Sequence, residues 1–272
     1  MVAAALSNAT ETDVKGYVDA MRQAGLLDSV PLWLGEGATT YSQPLATTGS
    51  FASLYNYLNI LKQTGLNGVQ VFAKQSLPDF FGNDGQPTPV YYFAVLWKRL
   101  MGQSVYRATS PVETLVLAAR SRKQQEPAVA GGGFVVAAAN LGAEPVTLAL
   151  RGTNCKLFLL TPATDPSGVG TKLNGKELSV DGEVGTLPPM EGEAVSCGQV
   201  RLAPMAVGFI VVAYKWSKLV VQVCCVARFP PFCQAPPTPL VGNATNKHRE
   251  SIYCTTIFIM NENFLKRHIT VQ

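Results

Sequence analysis

Residues 30–44 read VPLWLGEGATTYSQP, and the fold turns on them. An apolar, β-prone run stops at a carboxylate, Glu36, held between Gly35 and Gly37, and a polar loop follows at once. A strand that carries an acidic residue to its C-terminal end is how (β/α)8 barrels present catalytic groups. Glycines on both sides let the backbone approach a ligand and leave the carboxylate uncrowded. Gly-Glu-Gly is also an ordinary turn sequence, so the neighbouring segments have to decide.

Downstream, FASLYNYLNILKQTGL (51–66) sets Leu54, Leu58 and Leu61 with Tyr57 at helical spacing, and Gly65 is expected to close the helix. GVQVFAKQSL (68–77) is a short apolar strand finishing in Lys74 and Gln75. A loop rich in Pro, Gly and Asp (78–89) leads to a second amphipathic helix, VYYFAVLWKRLMG (90–102), with Gly102 as its stop. Upstream, residues 9–30 read as a helix in which Val14, Val18, Met21 and Leu26 are broadly periodic and Thr10 is a candidate cap. Trp33, just before the motif, is expected in the core. Strand and helix alternating at about 15-residue intervals is the rhythm of a parallel α/β unit.

From about residue 104 the texture changes. SVYRATS, TLVLAARSR, GFVVAAANLG, VTLALRG, KLFLLTPA, TKLNGKELSV and RLAPMAVGFIVVAYK are short β-prone runs parted by Gly, Pro, Asn and Asp. Turn signals at this spacing without helical periodicity predict an antiparallel sandwich.

Three blocks, WLGEGATTY, LYNYLNILKQTGLNGVQVFAKQSL and DGQPTPVYYFAVLWKRLMGQSV, closely resemble the heparanase-like endo-β-glucuronidases, a family of retaining glycoside hydrolases. LLTPA, TKLNGKEL, TLPPM and RLAPMAVGFIVV resemble that family's C-terminal sandwich in the same order, so the resemblance covers roughly residues 10–214. It implies α/β plus all-β architecture: the last two βα units of a truncated (β/α)8 barrel (1–102) and a C-terminal antiparallel β-sandwich (103–214); residues 215–272 lie outside the resemblance and read as a basic, Cys-containing, irregular tail.

The resemblance also assigns roles. Glu36 falls on the nucleophile position at the end of the seventh barrel strand, Tyr41 on an active-site tyrosine, and Gln75 on a polar residue that touches the sugar. Lys74 stands where the family usually has Arg, keeping a cation near an anionic substrate without the bidentate fork. Each has a plainer reading beside it: a loop tyrosine packed on the rim, a solvated strand end, a surface lysine. The implied substrate is an acidic glycan such as heparan sulfate, and no cofactor or metal is implied. The implied location is secreted, extracellular or lysosomal, with glycoprotein and membrane-associated character.

The chain departs from the pattern upstream. A (β/α)8 barrel takes about 200 residues or more, whereas strands one to six have no counterpart before Glu36. The family's acid/base Glu follows an Asn at the fourth strand, and the Asn261–Glu262 pair lies at the wrong end. The expectation is therefore an inactive or weakly active chain, either completed by a second chain or acting as a non-catalytic binding module. A severed barrel also predicts poor solubility. Ser42, Gln43 and Pro44 replace a Gly-rich stretch, and Pro44 lacks a backbone donor.

Charge and cysteines bound the remaining classes. The tail holds seven Lys/Arg against two Glu, more positive charge than the +4 of the whole chain, so the rest is slightly acidic. The tail's charges are scattered, which argues against nucleic-acid binding and for an extension foreign to the fold. His248 and His268, the only histidines, both lie in the tail, which excludes a His-based triad upstream. Cys155 and Cys197 could pair, and no Cys/His spacing suits zinc. Asn8-Ala-Thr and Asn243-Ala-Thr are N-glycosylation acceptors, MVAAALSNATET lacks signal-peptide character, and no apolar run reaches the length of a membrane span.

Overall fold

β1 (Trp33–Gly37) and β2 (Val71–Lys74) lie side by side and parallel, joined by a crossover that contains α2 (Ser53–Leu66). The computed structural model describes residues 9–27, 29–37, 49–74, 79–82, 84–108, 110, 112–122, 133–180, 185–213, 220–227 and 251–258, with backbone alone for 9–12, 36–37, 220–227 and 251–258. α1 (Ala9–Gln23) precedes β1, and α3 (Pro89–Leu100) follows β2. Thr10 lies inside α1 rather than capping it. Val14 and Val18 are buried, whereas Leu26 is exposed.

Both later helices form for reasons visible in their sequences. α2 buries Leu54, Tyr55, Leu58 and Leu61, and α3 buries Tyr92, Phe93, Leu96 and Leu100, each set spaced to share a helix face. Pro89 at the start of α3 loses no helical hydrogen bond there. α2 runs through Gly65 to Leu66, so Gly65 is not its stop. A Cβ at Gly65 would come within 2.7 Å of Arg120 Nη2, the far end of a flexible side chain that packs over this position. Asn67 ends the helix, its Nδ2 donating to the Gln63 carbonyl at 2.8 Å, and Gly68 at φ +78° turns the chain into β2.

α3 passes directly into β3 (Met101–Tyr106), the edge of a large antiparallel sheet. That sheet adds β4 (Leu115–Arg122), β5 (Gly133–Asn140), β7 (Asn154–Pro162), β8 (Thr171–Leu173), β9 (Lys176–Glu177), β10 (Glu193–Val195) and β12 (Val207–Ala213). Its order is β3-β4-β5-β12-β7-β8-β9, with β10 also on β7. A smaller sheet runs β11 (Val200–Leu202), β6 (Val146–Leu150), β13 (Val220–Ala227) and β14 (Ser251–Phe258). The chain is thus mixed, with few helices and mostly antiparallel sheets.

Period-2 alternation sorts the central strands into two cores. Val116, Val135, Ala137, Phe158, Phe209 and Val211 join α2 and α3 in one cluster. Leu117, Phe134, Val136, Leu157 and Ile210 meet Leu148, Leu150, Val200 and Leu202 of the smaller sheet in the other. The large sheet is covered on both faces, which is why β5 and β12 are apolar almost throughout.

Two expectations change. Trp33 is not core: it is 65% exposed, because β1 has a strand partner on one side alone among the described residues. The tail is not irregular throughout, since β13 and β14 lie within it. VVQVCCVA and SIYCTTIF are rich in β-branched and aromatic residues, and β6 offers them an edge, pairing Val221 with Leu150 and Val223 with Leu148.

Candidate functional site

Parallel pairing brings the C-terminal ends of β1 and β2 to one edge, where the chain leaves each strand. The register matches Trp33 with Val71 and Leu34 with Phe72, and the next match is Gly37 with Lys74. β1 advances three residues while β2 advances two, so one extra residue sits at Gly35–Glu36. This is a β-bulge, a device that re-aims side chains and recurs beside active sites. A Cβ at Gly35 would meet nothing within 4 Å, so packing does not demand glycine there. The backbone of Glu36 is placed at this bulge; its side chain, Tyr41 and Gln75 lie outside the described residues.

Lys74 is neither a solvated surface lysine nor an open cation. Its ammonium forms an ion pair with Asp79, and the two side chains are 4% and 1% exposed. Nζ also sits 5.9 Å from the centre of the Tyr57 ring, within cation–π range. Burial pushes the Lys74 ammonium down to about 8 and the Tyr57 phenol up to about 12. Tyr57 packs on Phe72 of β2 and Phe93 of α3, with centroids 6.0 Å and 5.4 Å away, so the pair is roofed by aromatic rings. Asp79 Oδ1 has no hydrogen-bond partner among the described residues.

Asp79 is the site residue that sequence reasoning missed. Its signal was an acidic residue five positions after a lysine at a strand end, in a loop that also carries Phe80 and Phe81. Those aromatics pack inward: Phe80 lies against the helical core, and Phe81 sits 5.1 Å from the ring of Tyr91. On the flank of β1, Val14, Tyr17, Leu32, Trp33, Leu34 and Val69 line an apolar cavity of about 130 Å³. Its lining includes no Asp, Glu, Lys, Arg or His among the described residues. Among the described residues no cluster of His, Cys, Asp and Glu could hold a metal ion, and no helix is long and apolar enough to cross a membrane.

A disulfide links Cys155 at the start of β7 to Cys197 in the single-turn helix Cys197–Gln199, as their sequence positions allowed.

No protein-family model matches the chain. Over 195 residues, 65% of its length, the chain is 29% identical to a baicalin-β-D-glucuronidase of Scutellaria baicalensis. It spans 35% of that protein, about a third of the curated relative it matches. In three dimensions it is similar to a 4-O-α-L-rhamnosyl-β-D-glucuronidase from Fusarium oxysporum, with a TM-score of 0.50 and 14% identity. That likeness covers 78% of this chain and 50% of the other. The sequence match carries the resemblance to a β-glucuronidase-type glycoside hydrolase, and the structural match, at its low identity, carries the fold.

Proposed function

We propose that the β1–β2 unit is the nucleophile-bearing part of a retaining, heparanase-like β-glucuronidase site that acts on acidic glycans such as heparan sulfate. The observation that supports this most is the coincidence of Glu36 with a one-residue bulge at the C-terminal end of a parallel strand. In this reading β1 and β2 are the last two strands of a (β/α)8 barrel, and the two antiparallel sheets are its C-terminal sandwich.

Glu36 attacks the anomeric carbon and displaces the aglycone oxygen, forming a covalent glycosyl-enzyme that water then hydrolyses. A second carboxyl, about 5–5.5 Å from the first in retaining enzymes, protonates the leaving oxygen and then deprotonates the water. The nucleophile has to be ionised while its partner stays protonated, so their surroundings must differ. That partner comes from outside the β1–β2 unit, from further βα units or a second chain. Tyr41 and Gln75, which follow β1 and β2 in the sequence, hold the sugar in this reading. Lys74 acts as a positioning residue that fixes the start of the β2–α3 connection through Asp79. The disulfide suits a secreted, extracellular or lysosomal protein, because such bonds persist in oxidising compartments.

One observation favours a second reading. The cation meant for an acidic sugar is already neutralised by Asp79, as it would be in a non-catalytic carbohydrate-binding or interaction module. The test is to incubate the purified chain with an aryl β-glucuronide and with a mechanism-based glucuronide label. Labelling of the peptide containing Glu36, with labelling and turnover abolished by Glu36→Gln, supports the hydrolase. A cooperatively folded chain in which Glu36 takes up no label supports the module.

A further inference from the structure

A cavity of about 810 Å³ lies far along the chain from Glu36, at one end of the antiparallel sheets. One wall is Leu150–Lys156, the turn from β6 into β7; the other is Gly192–Gly198, covering part of β10 and the turn after it. β10 pairs with β7 here, Ala194 opposite Lys156 and Val195 opposite Cys155, and the Cys155–Cys197 disulfide ties the two walls together. The groove is therefore built before any ligand arrives.

Its charge is one-sided. Among the described residues, Arg151 and Lys156 are the only charged ones lining it, with Thr153, Asn154 and Ser196 adding uncharged polar groups. Glu193, between the lining residues Gly192 and Ala194, is not itself among the described lining residues. Among the described residues, Arg151 and Lys156 join no ion pair. Lys156 Nζ is held 5.5 Å from the Phe158 ring, which restrains its stem and leaves the ammonium without a counter-charge. Gly152 and Gly192 serve packing, since a Cβ would strike Val212 Cγ1 at 2.4 Å and the Phe158 ring at 2.6 Å. They let the walls approach; the cations give the groove its preference.

We infer that this groove is an accessory site for an anionic sugar, with Arg151 and Lys156 gripping a carboxylate or sulfate ester and the polar lining meeting hydroxyls. Guanidinium offers the planar fork that matches either anion, and a fixed ammonium adds a second point of attachment. Among the described residues no aromatic side chain lines the groove, so the inferred recognition runs through charge and hydrogen bonds. The choice of a glycan as the anion's carrier rests on the acidic-glycan reading of the β1–β2 unit.

The experiment is calorimetric titration of the whole chain with a sulfated, glucuronate-containing tetrasaccharide, with a neutral glucose tetrasaccharide and free sulfate as controls. The anionic tetrasaccharide is expected to bind and the neutral one not to. Arg151→Ala combined with Lys156→Gln should weaken binding at least about tenfold, as loss of charge-assisted contacts does, without changing the melting curve. Arg151→Glu alone, at an exposed position, should weaken it likewise. Equal affinity for the neutral sugar, or unchanged affinity in either variant, overturns the proposal, and free sulfate matching the tetrasaccharide overturns the sugar part of it. The same titration with Glu36→Gln should reproduce wild-type binding to this groove, so a failed glycosidase assay and a failed groove are told apart.

Discussion

Lys74 and Asp79 face each other across the β2–α3 connection in an ion pair from which water is almost excluded. Removing two charges from water costs several kcal/mol each, and their attraction offsets that cost only when the remaining polar atoms are also satisfied. Asp79 Oδ1 has no partner among the described residues. The pair is thus better described as holding the connection in place than as a source of net stability.

A mutational cycle follows from that balance. Asp79→Leu leaves a buried, poorly solvated ammonium without its counter-ion and should destabilise the chain by about 3–5 kcal/mol. Adding Lys74→Met should recover most of the loss. Urea titrations of the wild type, both single variants and the double variant measure the four corners. A double variant as unstable as the worse single one contradicts this account.

Titration of Lys74 supplies a pH dependence with a definite sign. Burial pushes its ammonium down to about 8, against roughly 10.4 for an unfolded lysine. Below about pH 8 both states carry the proton and the folded chain bears the whole desolvation cost. Between about 8 and 10.4 the folded chain releases it first, so stability should rise with pH across that window. Below about 8 this contribution levels off, because both states then hold the proton. Nitrogen-detected NMR of Nζ reads the midpoint, and urea midpoints at pH 7.5 and 9.5, compared with Lys74→Met, read the linked stability.

The Cys155–Cys197 bond closes a sequence separation of 42 residues. Loop entropy assigns such a cross-link about 4 kcal/mol, with measured values commonly about 2–5. Replacing both cysteines by alanine should lower unfolding free energy by that amount. It should also weaken anionic tetrasaccharide binding, because the two groove walls lose their tie. Unchanged affinity in a folded double variant would show that the walls hold without it.

Tyr55 reaches 150 residues along the sequence to donate its hydroxyl hydrogen to the Met205 carbonyl, at 2.7 Å. Met205 adopts φ +58°, a left-handed conformation that L-residues with side chains take only when surroundings impose it. Tyr55→Phe removes the donor and should cost about 1–2 kcal/mol. Amide exchange at Ala206 and Val207 should quicken with it, reporting a loosened turn before β12. A shift confined to α2 would refute the link.

How much of this was legible depends on what each residue type encodes locally. α2, α3 and most of the later strands were readable because burial on one face leaves a period, and Leu54–Leu58–Leu61 and the apolar runs show it. Gly65 misled, since α2 runs past it to Leu66 and Asn67 ends the helix instead. Trp33 misled because a large aromatic usually signals core, whereas its burial depends on what lies beside β1. The Lys74–Asp79 pair was illegible for a different reason: neither residue has a periodic signature, and only the fold brings the two side chains together. The bulge at Gly35–Glu36 is a property of two strands and cannot be read from one.

The helices α2 and α3 share a core with the large sheet, with Phe93 lying 5.1 Å from Phe209 of β12. Cutting the gene near residue 102 would therefore not release two independent modules. Each half would keep a greasy, uncovered flank shaped for the other. The catalytic-looking edge and the antiparallel part should be inherited, expressed and lost together, and any engineered graft of the Glu36 segment onto another scaffold must carry the C-terminal sheet with it.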